Sequence, residues 1–224
     1  MVRNQQEILA ILARVGAVIA NSHIVYTSGK HGSAYVNKDA IYPHTRETSD
    51  LCETLMNRIA DVRQPTSDLV IIPQAVVAPA VGGVILSQWM AYHFSSYWSG
   101  KWMDIPALYA DKVGEEFVIK RGYEKIVSGK RVLVVEDVLD TGGSVIKTIQ
   151  AVRNAGGEVV AVGALCNRGG VTAEQLGIPH LVSLLDVTMD AWPEAECPLC
   201  VQGVPINTSV GHGAQFLAHQ YHRK

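Results

Sequence analysis

The amino-acid sequence predicts an α/β fold: a mainly parallel sheet covered by helices on both faces. Short, continuously apolar runs such as Val132-Leu133-Val134-Val135 alternate with amphipathic segments along the chain. A strand buried on both faces reads as an unbroken apolar run, whereas a half-exposed strand alternates apolar with polar residues. Strands and helices in alternation favour parallel pairing through helical crossovers. The 224 residues are enough for one fully cored domain, and no internal repeat or low-complexity linker divides them.

The elements follow in order. Ile8, Leu9, Ile11, Leu12, Val15, Val18 and Ile19 recur at helical spacing and predict an opening helix. Ser22 to His44, rich in Gly, Ser, Tyr and Asn, reads as irregular strand and loop. From about Glu47, a second helix carries Leu51, Leu55, Ile59 and Val62 on one face. Leu69 to Ile72 is the expected first buried strand, and Val84 to His93 a helix after a turn punctuated by Pro and Gly. Pro106 to Ala110 is a further strand, and Phe117 to Arg121 and Tyr123 to Val127 flank Gly122 as a hairpin or bulged pair. Arg131 to Glu136 is the clearest strand. Gly142 to Asn154 is a helix ended by Gly156 and Gly157. Glu158 to Leu165 and His180 to Leu185 complete the strands. The tail from Ala191 onward, with Pro193, Pro198 and Pro205, reads as irregular until its last residues.

Composition narrows the function classes. A hydrophobic fraction of 48% with 18% charged residues excludes a disordered chain. A formal net charge of −2 gives no electrostatic reason for a nucleic-acid partner. No apolar stretch approaches the ~18 residues that span a bilayer, and Met1 to Glu7 lacks the apolar core of a signal peptide. A cytoplasmic protein without membrane partners is expected, its four cysteines reduced.

The informative stretch runs from Val134 through Glu136, Asp137, Val138, Leu139, Asp140, Thr141, Gly142 and Gly143 to Ser144. An apolar strand ends in two acids, and a short loop with two glycines enters a helix. Ligands of open α/β sheets bind beyond the carboxyl ends of strands. Glycines there let the backbone come close, amides at a helix start bind phosphate, and Thr141 and Ser144 add hydroxyl donors. Glu136 and Asp137 can accept hydrogen bonds from ribose hydroxyls and favour positive charge developing on the sugar. Taken alone, the acids are equally well read as ending a strand and capping a helix. No G-x-x-x-x-G-K-[ST] loop and no G-x-G-x-x-G after a strand occurs.

The whole string resembles the signature with which type I phosphoribosyltransferases bind phosphoribosyl pyrophosphate (PRPP), except that Asp140 stands where Thr or Ala is usual. Other segments resemble the orotate-specific enzymes, in particular their Thermus-type branch. Val77 to Val84 is similar to the family's pyrophosphate loop, which implies that Ala78, Pro79 and Ala80 contact a diphosphate. Tyr26 to Lys38 resembles the segment that forms a small hood over the base, implying base contacts from Lys30, Tyr35 and Lys38. Thr27 stands where many members have Lys. Asn167-Arg168 resembles an Asp-Arg pair whose arginine reaches the orotate; Asn167 is the departure. Tyr109 to Lys112 and Lys120 to Tyr123 resemble the mobile catalytic loop, with Lys112, Lys120 and Arg121 as candidates to neutralise the departing pyrophosphate, against an ordinary exposed basic hairpin. Cys197-Pro198-Leu199-Cys200 resembles the branch's C-terminal motif. One Cys pair supplies only two ligands, and His212 and His219 do not complete a finger spacing, so a turn without metal is expected.

The resemblance implies one phosphoribosyltransferase domain over residues 1–224, with 1–45 as hood segment and 191–224 as tail. It implies a homodimer, Mg²⁺ bound mainly through PRPP, and transfer of phosphoribosyl from PRPP to orotate. Two rivals stay open: transfer to another base, such as a purine, and a non-catalytic PRPP sensor on the same fold.

Overall fold

The computed structural model describes residues 3–26, 28–64, 67–97, 102–187 and 190–221. It forms two compact units, Met1–Ile8 with His44–Val187, and Leu9–Pro43 with Thr188–Lys224.

The larger unit is built on a six-stranded sheet. Its strands are β1 (Ala75–Pro79), β2 (Ala107–Val113), β3 (Glu116–Val118), β4 (Arg131–Leu139), β5 (Glu158–Asn167) and β6 (Leu181–Asp186), in spatial order β6-β5-β4-β1-β2-β3. All neighbours are parallel except the β2–β3 hairpin at one edge. The expected mainly parallel sheet between helices is what forms. The helices are α1 (Thr45–Ala60), α2 (Val84–Tyr97), α3 (Tyr123–Val127), α4 (Gly143–Asn154) and α5 (Ala173–Leu176). Strand alternation sends successive residues to opposite faces. Val162 and Ala164 join Val132, Val134, Val145, Ile149 and Val152 in one buried cluster under α4. Gly163, between them, faces Leu55 and Ile59 of α1, where a Cβ would lie 2.9 Å from Ile59 Cδ1. Each fully buried Val or Ile of this kind contributes about 1.5–3 kcal/mol.

Three predicted elements are corrected here. Residues 69–72 do not supply the first sheet strand: Ser67–Val70 pairs antiparallel with Arg63–Gln64 in a separate ribbon. The sheet strand is β1, wholly buried, whose small alanines and terminal Pro79 disguise it as turn. Tyr123–Val127 is helix rather than strand, entered through Gly122 at φ 83°. A five-residue apolar run has too little period to tell the two apart. Finally, β4 runs on to Leu139, so Glu136 and Asp137 lie inside the strand.

The opening helix, Gln5–Arg14, has residues in both units and stops well before Ile19. Gly16 turns the chain at φ 70°, and Val18–Ile19 becomes a strand paired antiparallel with Tyr35–Val36. Ile24–Val25 pairs with His31–Gly32 across a turn whose Gly29 has φ 76°. The tail is more ordered than its prolines predict, with Glu194–Glu196 in a 3₁₀ turn, a helical turn Pro198–Val201 and a helix Gly213–Tyr221. Hydrogen bonds tie it to the hairpin: His31 and Trp192 exchange two of 2.8 Å, and Asn207 N donates to His23 O at 2.8 Å.

Candidate functional site

The strand order dictates where a ligand belongs. From β1 the chain moves to β2 on one side, and from β4 to β5 on the other, so the direction of winding reverses between β1 and β4. Ligands of open parallel sheets bind in the crevice at such a switch point, beyond the carboxyl ends of the strands. Three loops leave that edge together. Register places Leu139 opposite Asn167 and Val134 opposite Val77, and Ala80 N donates to Ala110 O at 2.9 Å. The loops after β1, β4 and β5 therefore start at neighbouring strand ends.

The loop after β4 is the most built. Glu136, Val138, Leu139 and residues 140–145 line a concavity of about 80 Å³, sized for a phosphate group rather than a base. Gly142 caps α4 at φ 77°, and a Cβ there would press on Leu176 and Val171 at 3.3 Å. Only glycine takes this conformation cheaply. The turn leaves Thr141, Gly143 and Ser144 exposed while Val145 is buried beneath. The N-cap Gly142 has no side chain to cap α4, and Gly143 N donates to Thr141 Oγ1 at 3.4 Å.

Glu136 and Asp137 are 7% and 3% exposed, yet they stand at the same end of β4. Val138 N donates to Asp137 Oδ1 at 2.7 Å, and Asp137 N to Glu136 Oε1 at 3.2 Å. Backbone donors thus orient both carboxylates locally. Neither is the N-cap of α4, which is Gly142 and lies beyond the end of β4.

The departure at Asp140 has a partner. Its carboxylate accepts from the Arg168 guanidinium at 3.0 Å, so the arginine expected at the base reaches back to the loop after β4. The loop carrying Arg168 is stitched to β4, because Arg168 N and Gly169 N both donate to Leu139 O, at 2.9 and 3.1 Å. Asn167, the other departure, holds the loop: its Nδ2 donates to Val171 O at 2.9 Å and its Oδ1 accepts from Val171 N at 3.0 Å. Gly169 is a contributor that sequence reasoning missed. A Cβ on it would lie 1.4 Å from Asp140 O. The adjacent Gly169-Gly170 pair was its visible signal. Cys166, one residue before Asn167, is pushed up to about 11 by burial, with Arg168 opposing the shift.

The other candidates fall as follows. Ala78 and Pro79 are buried within β1; in the turn Ala80 to Gly83 that follows, Val81 is exposed, Ala80 and Gly82 are half-buried and Gly83 is buried, with the Ala80–Val81 peptide cis. Gly83 is packed on β1, where a Cβ would meet that of Ala78 at 2.7 Å. Lys112 and Lys120 are exposed on and beside the β2–β3 hairpin. Arg121 is instead engaged, with Nε 3.4 Å from Asp111 Oδ2 and its guanidinium 5.8 Å from the Tyr109 ring centroid. Lys30, Tyr35 and Lys38 belong to the smaller unit: Lys30 is exposed in the hairpin turn, Tyr35 is half-buried opposite Ile19, and Lys38 is half-buried in a 3₁₀ turn. Thr27 lies outside the described residues. Cys197 and Cys200, which by themselves supply only two ligands, have His23 and His31 beside them. These two histidines come from far upstream of the cysteines, unlike His212 or His219, a separation that no spacing rule captures.

Residues 53–197 match the family described as phosphoribosyl transferase domain. The chain belongs to this phosphoribosyltransferase family. An orotate phosphoribosyltransferase of Desulforamulus reducens is 33% identical over 202 residues, covering 90% of this chain and 94% of its own. Among solved structures, the orotate phosphoribosyltransferase of Aeropyrum pernix superposes with a TM-score of 0.59 at 23% identity, covering 80% of this chain and 92% of that one. The Mycobacterium tuberculosis enzyme in complex with PRPP gives 0.57 at 22% identity, covering 82% and 96%. These two likenesses confirm the phosphoribosyltransferase fold. No described helix is long and apolar enough to cross a membrane.

Proposed function

We infer that this phosphoribosyltransferase is specific for orotate, joining it to PRPP to give orotidine 5′-monophosphate and pyrophosphate in pyrimidine nucleotide synthesis. The observation that carries the reading is the Asp140–Ser144 loop at the switch point, beside two buried acids, in a chain 33% identical over 90% of its length to an enzyme of that name. The 5′-phosphate sits on the Thr141–Ser144 amides and hydroxyls. Glu136 and Asp137 face the ribose, hold its hydroxyls and stabilise the oxocarbenium character that develops as the C1–diphosphate bond breaks. The Ala80–Gly83 turn lies beside the departing diphosphate, and Arg168 aligns the base. Displacement at an activated anomeric carbon requires no side-chain nucleophile, so positioning and charge stabilisation are the protein's task.

Magnesium fits this site through oxygen donors. Glu136 and Asp137 alone supply too few for its octahedral shell, so substrate oxygens and water complete it. When bound, the ion neutralises diphosphate charge. The same reading carries a cytoplasmic homodimer, supported by the family resemblance.

The test is a base screen with PRPP and magnesium, reading pyrophosphate release for orotate, uracil, adenine, guanine, hypoxanthine and xanthine. Release with orotate alone is expected. Release with a purine but not orotate overturns the specificity, and PRPP binding without release for any base turns the reading toward a sensor.

A further inference from the structure

We propose that His23, His31, Cys197 and Cys200 form a structural zinc site that closes the smaller unit. The four side chains bring one ligand atom each into a group whose members all lie within 4.8 Å of one another. His23, His31 and Cys197 are buried and Cys200 is partly accessible, which leaves a path for an ion.

The geometry matches tetrahedral coordination. Zinc bonds of about 2.0–2.1 Å to nitrogen and about 2.3 Å to sulfur put ligand atoms roughly 3.3–3.8 Å apart at tetrahedral angles. Here Cys197 Sγ and Cys200 Sγ each lie 3.6 Å from His23 Nε2, and Cys200 Sγ lies 3.3 Å from His31 Nδ1. The two ring nitrogens are 2.9 Å apart, so seating an ion asks only a few tenths of an ångström of them.

The backbone builds the site deliberately. Val25 pairs with His31 and Ile24 with Gly32, so His23 and His31 are diagonal neighbours on one face of a hairpin. Cys197 is the N-cap of the helical turn Pro198–Val201, and Cys200 lies within it. The tautomer of His23 is set by its second nitrogen: Nδ1 lies 2.7 Å from the Val204 carbonyl oxygen, which can only accept. Nδ1 therefore carries the proton, and the Nε2 lone pair points into the group. Metal-bound histidines are held in this way by a carbonyl or carboxylate behind the ring.

Two thiolates and two neutral imidazoles select zinc over magnesium or calcium, and four protein ligands leave no open position for catalysis. On binding, Cys197 and Cys200 each release a proton to solvent. Two thiolates then balance the dication, leaving no net buried charge. The consequence is structural, since Cys197 and His23 are 174 residues apart in sequence. Metal joins the N-terminal hairpin to the tail in a unit too small to rely on its apolar core alone.

The test uses the full chain produced in zinc-depleted medium with cobalt(II), its thiols kept reduced. A thiolate-to-cobalt charge-transfer absorption is expected at one cobalt per chain, displaced by one equivalent of zinc. Cys200→Ser and His23→Ala should each weaken or abolish that band. The proposal is overturned if the folded wild-type chain shows no such band, or if the band persists unchanged in both variants. Should a variant fail to fold, the wild-type spectrum and zinc stoichiometry alone decide.

Discussion

The Arg168 guanidinium lies 3.0 Å from the Asp140 carboxylate, joining the loop after β5 to the loop after β4. Arg168 is 22% exposed and Asp140 63% exposed, so solvent screens the pair and its stabilisation is modest. Its value lies in charge placement. An unpaired acid beside a phosphate site repels the ligand, whereas a paired one presents a neutral rim. With five donors, Arg168 can hold Asp140 and still offer N–H groups to a carboxylate on the base.

Arg168→Ala should therefore harm two things at once. Orotate efficiency should fall about ten- to a hundredfold with loss of a charge-assisted hydrogen bond. PRPP affinity should also fall, by about two- to fivefold, because Asp140 is left uncompensated. Adding Asp140→Ala should restore PRPP affinity but not orotate efficiency. Titration calorimetry for PRPP and steady-state kinetics for orotate read the two separately. If the double variant binds PRPP no better than Arg168→Ala, the pairing has no role in the phosphate site.

Asp137→Asn keeps an acceptor oxygen for Val138 N but removes the charge. Turnover should drop by about a hundredfold while the melting temperature moves by less than about 4 °C. Parallel loss of both would instead make Asp137 a structural residue of β4.

Much of this was legible beforehand because its signals are local. The apolar run 132–135 and the acids and glycines after it are contiguous, so strand, loop and helix could all be read from one stretch. The family resemblance rested on the same contiguity. The illegible parts depend on distance in sequence. Strand β1 was missed because Ala75, Ala78 and Pro79 carry weak strand signals and only its central place in the sheet makes it a strand. The Asp140–Arg168 pair spans 28 positions, and the His23–Cys197 contact 174. No periodicity or motif links such residues until the fold brings them together.

Gly169→Ala tests the close approach of the two loops. A Cβ 1.4 Å from Asp140 O cannot be absorbed by a side-chain rotation, because the obstacle is backbone. The cost should exceed about 2 kcal/mol, through displacement of one loop. The stabilisation that PRPP and magnesium give in a thermal melt should shrink in this variant. A wild-type melt and an unchanged PRPP shift would show that the loops are not held as described.

Cys166 predicts how stability responds to alkali. Burial pushes its thiol from an ordinary value near 9 up to about 11, with nearby Arg168 opposing and Asp186 reinforcing the shift. The unfolded chain thus loses this proton at lower pH than the folded one. Between pH 9 and about 11 the unfolded state binds fewer protons, so the stability this group contributes falls as pH rises through that window. Below pH 9 the thiol is protonated in both states and the slope vanishes. Cys52, wholly buried, is shifted in the same direction and adds to the effect. Denaturant unfolding measured from pH 8 to 11 should show stability declining only in the upper part of the range, and less steeply in Cys166→Ala. An identical alkaline slope in wild type and Cys166→Ala would place the titrating groups elsewhere.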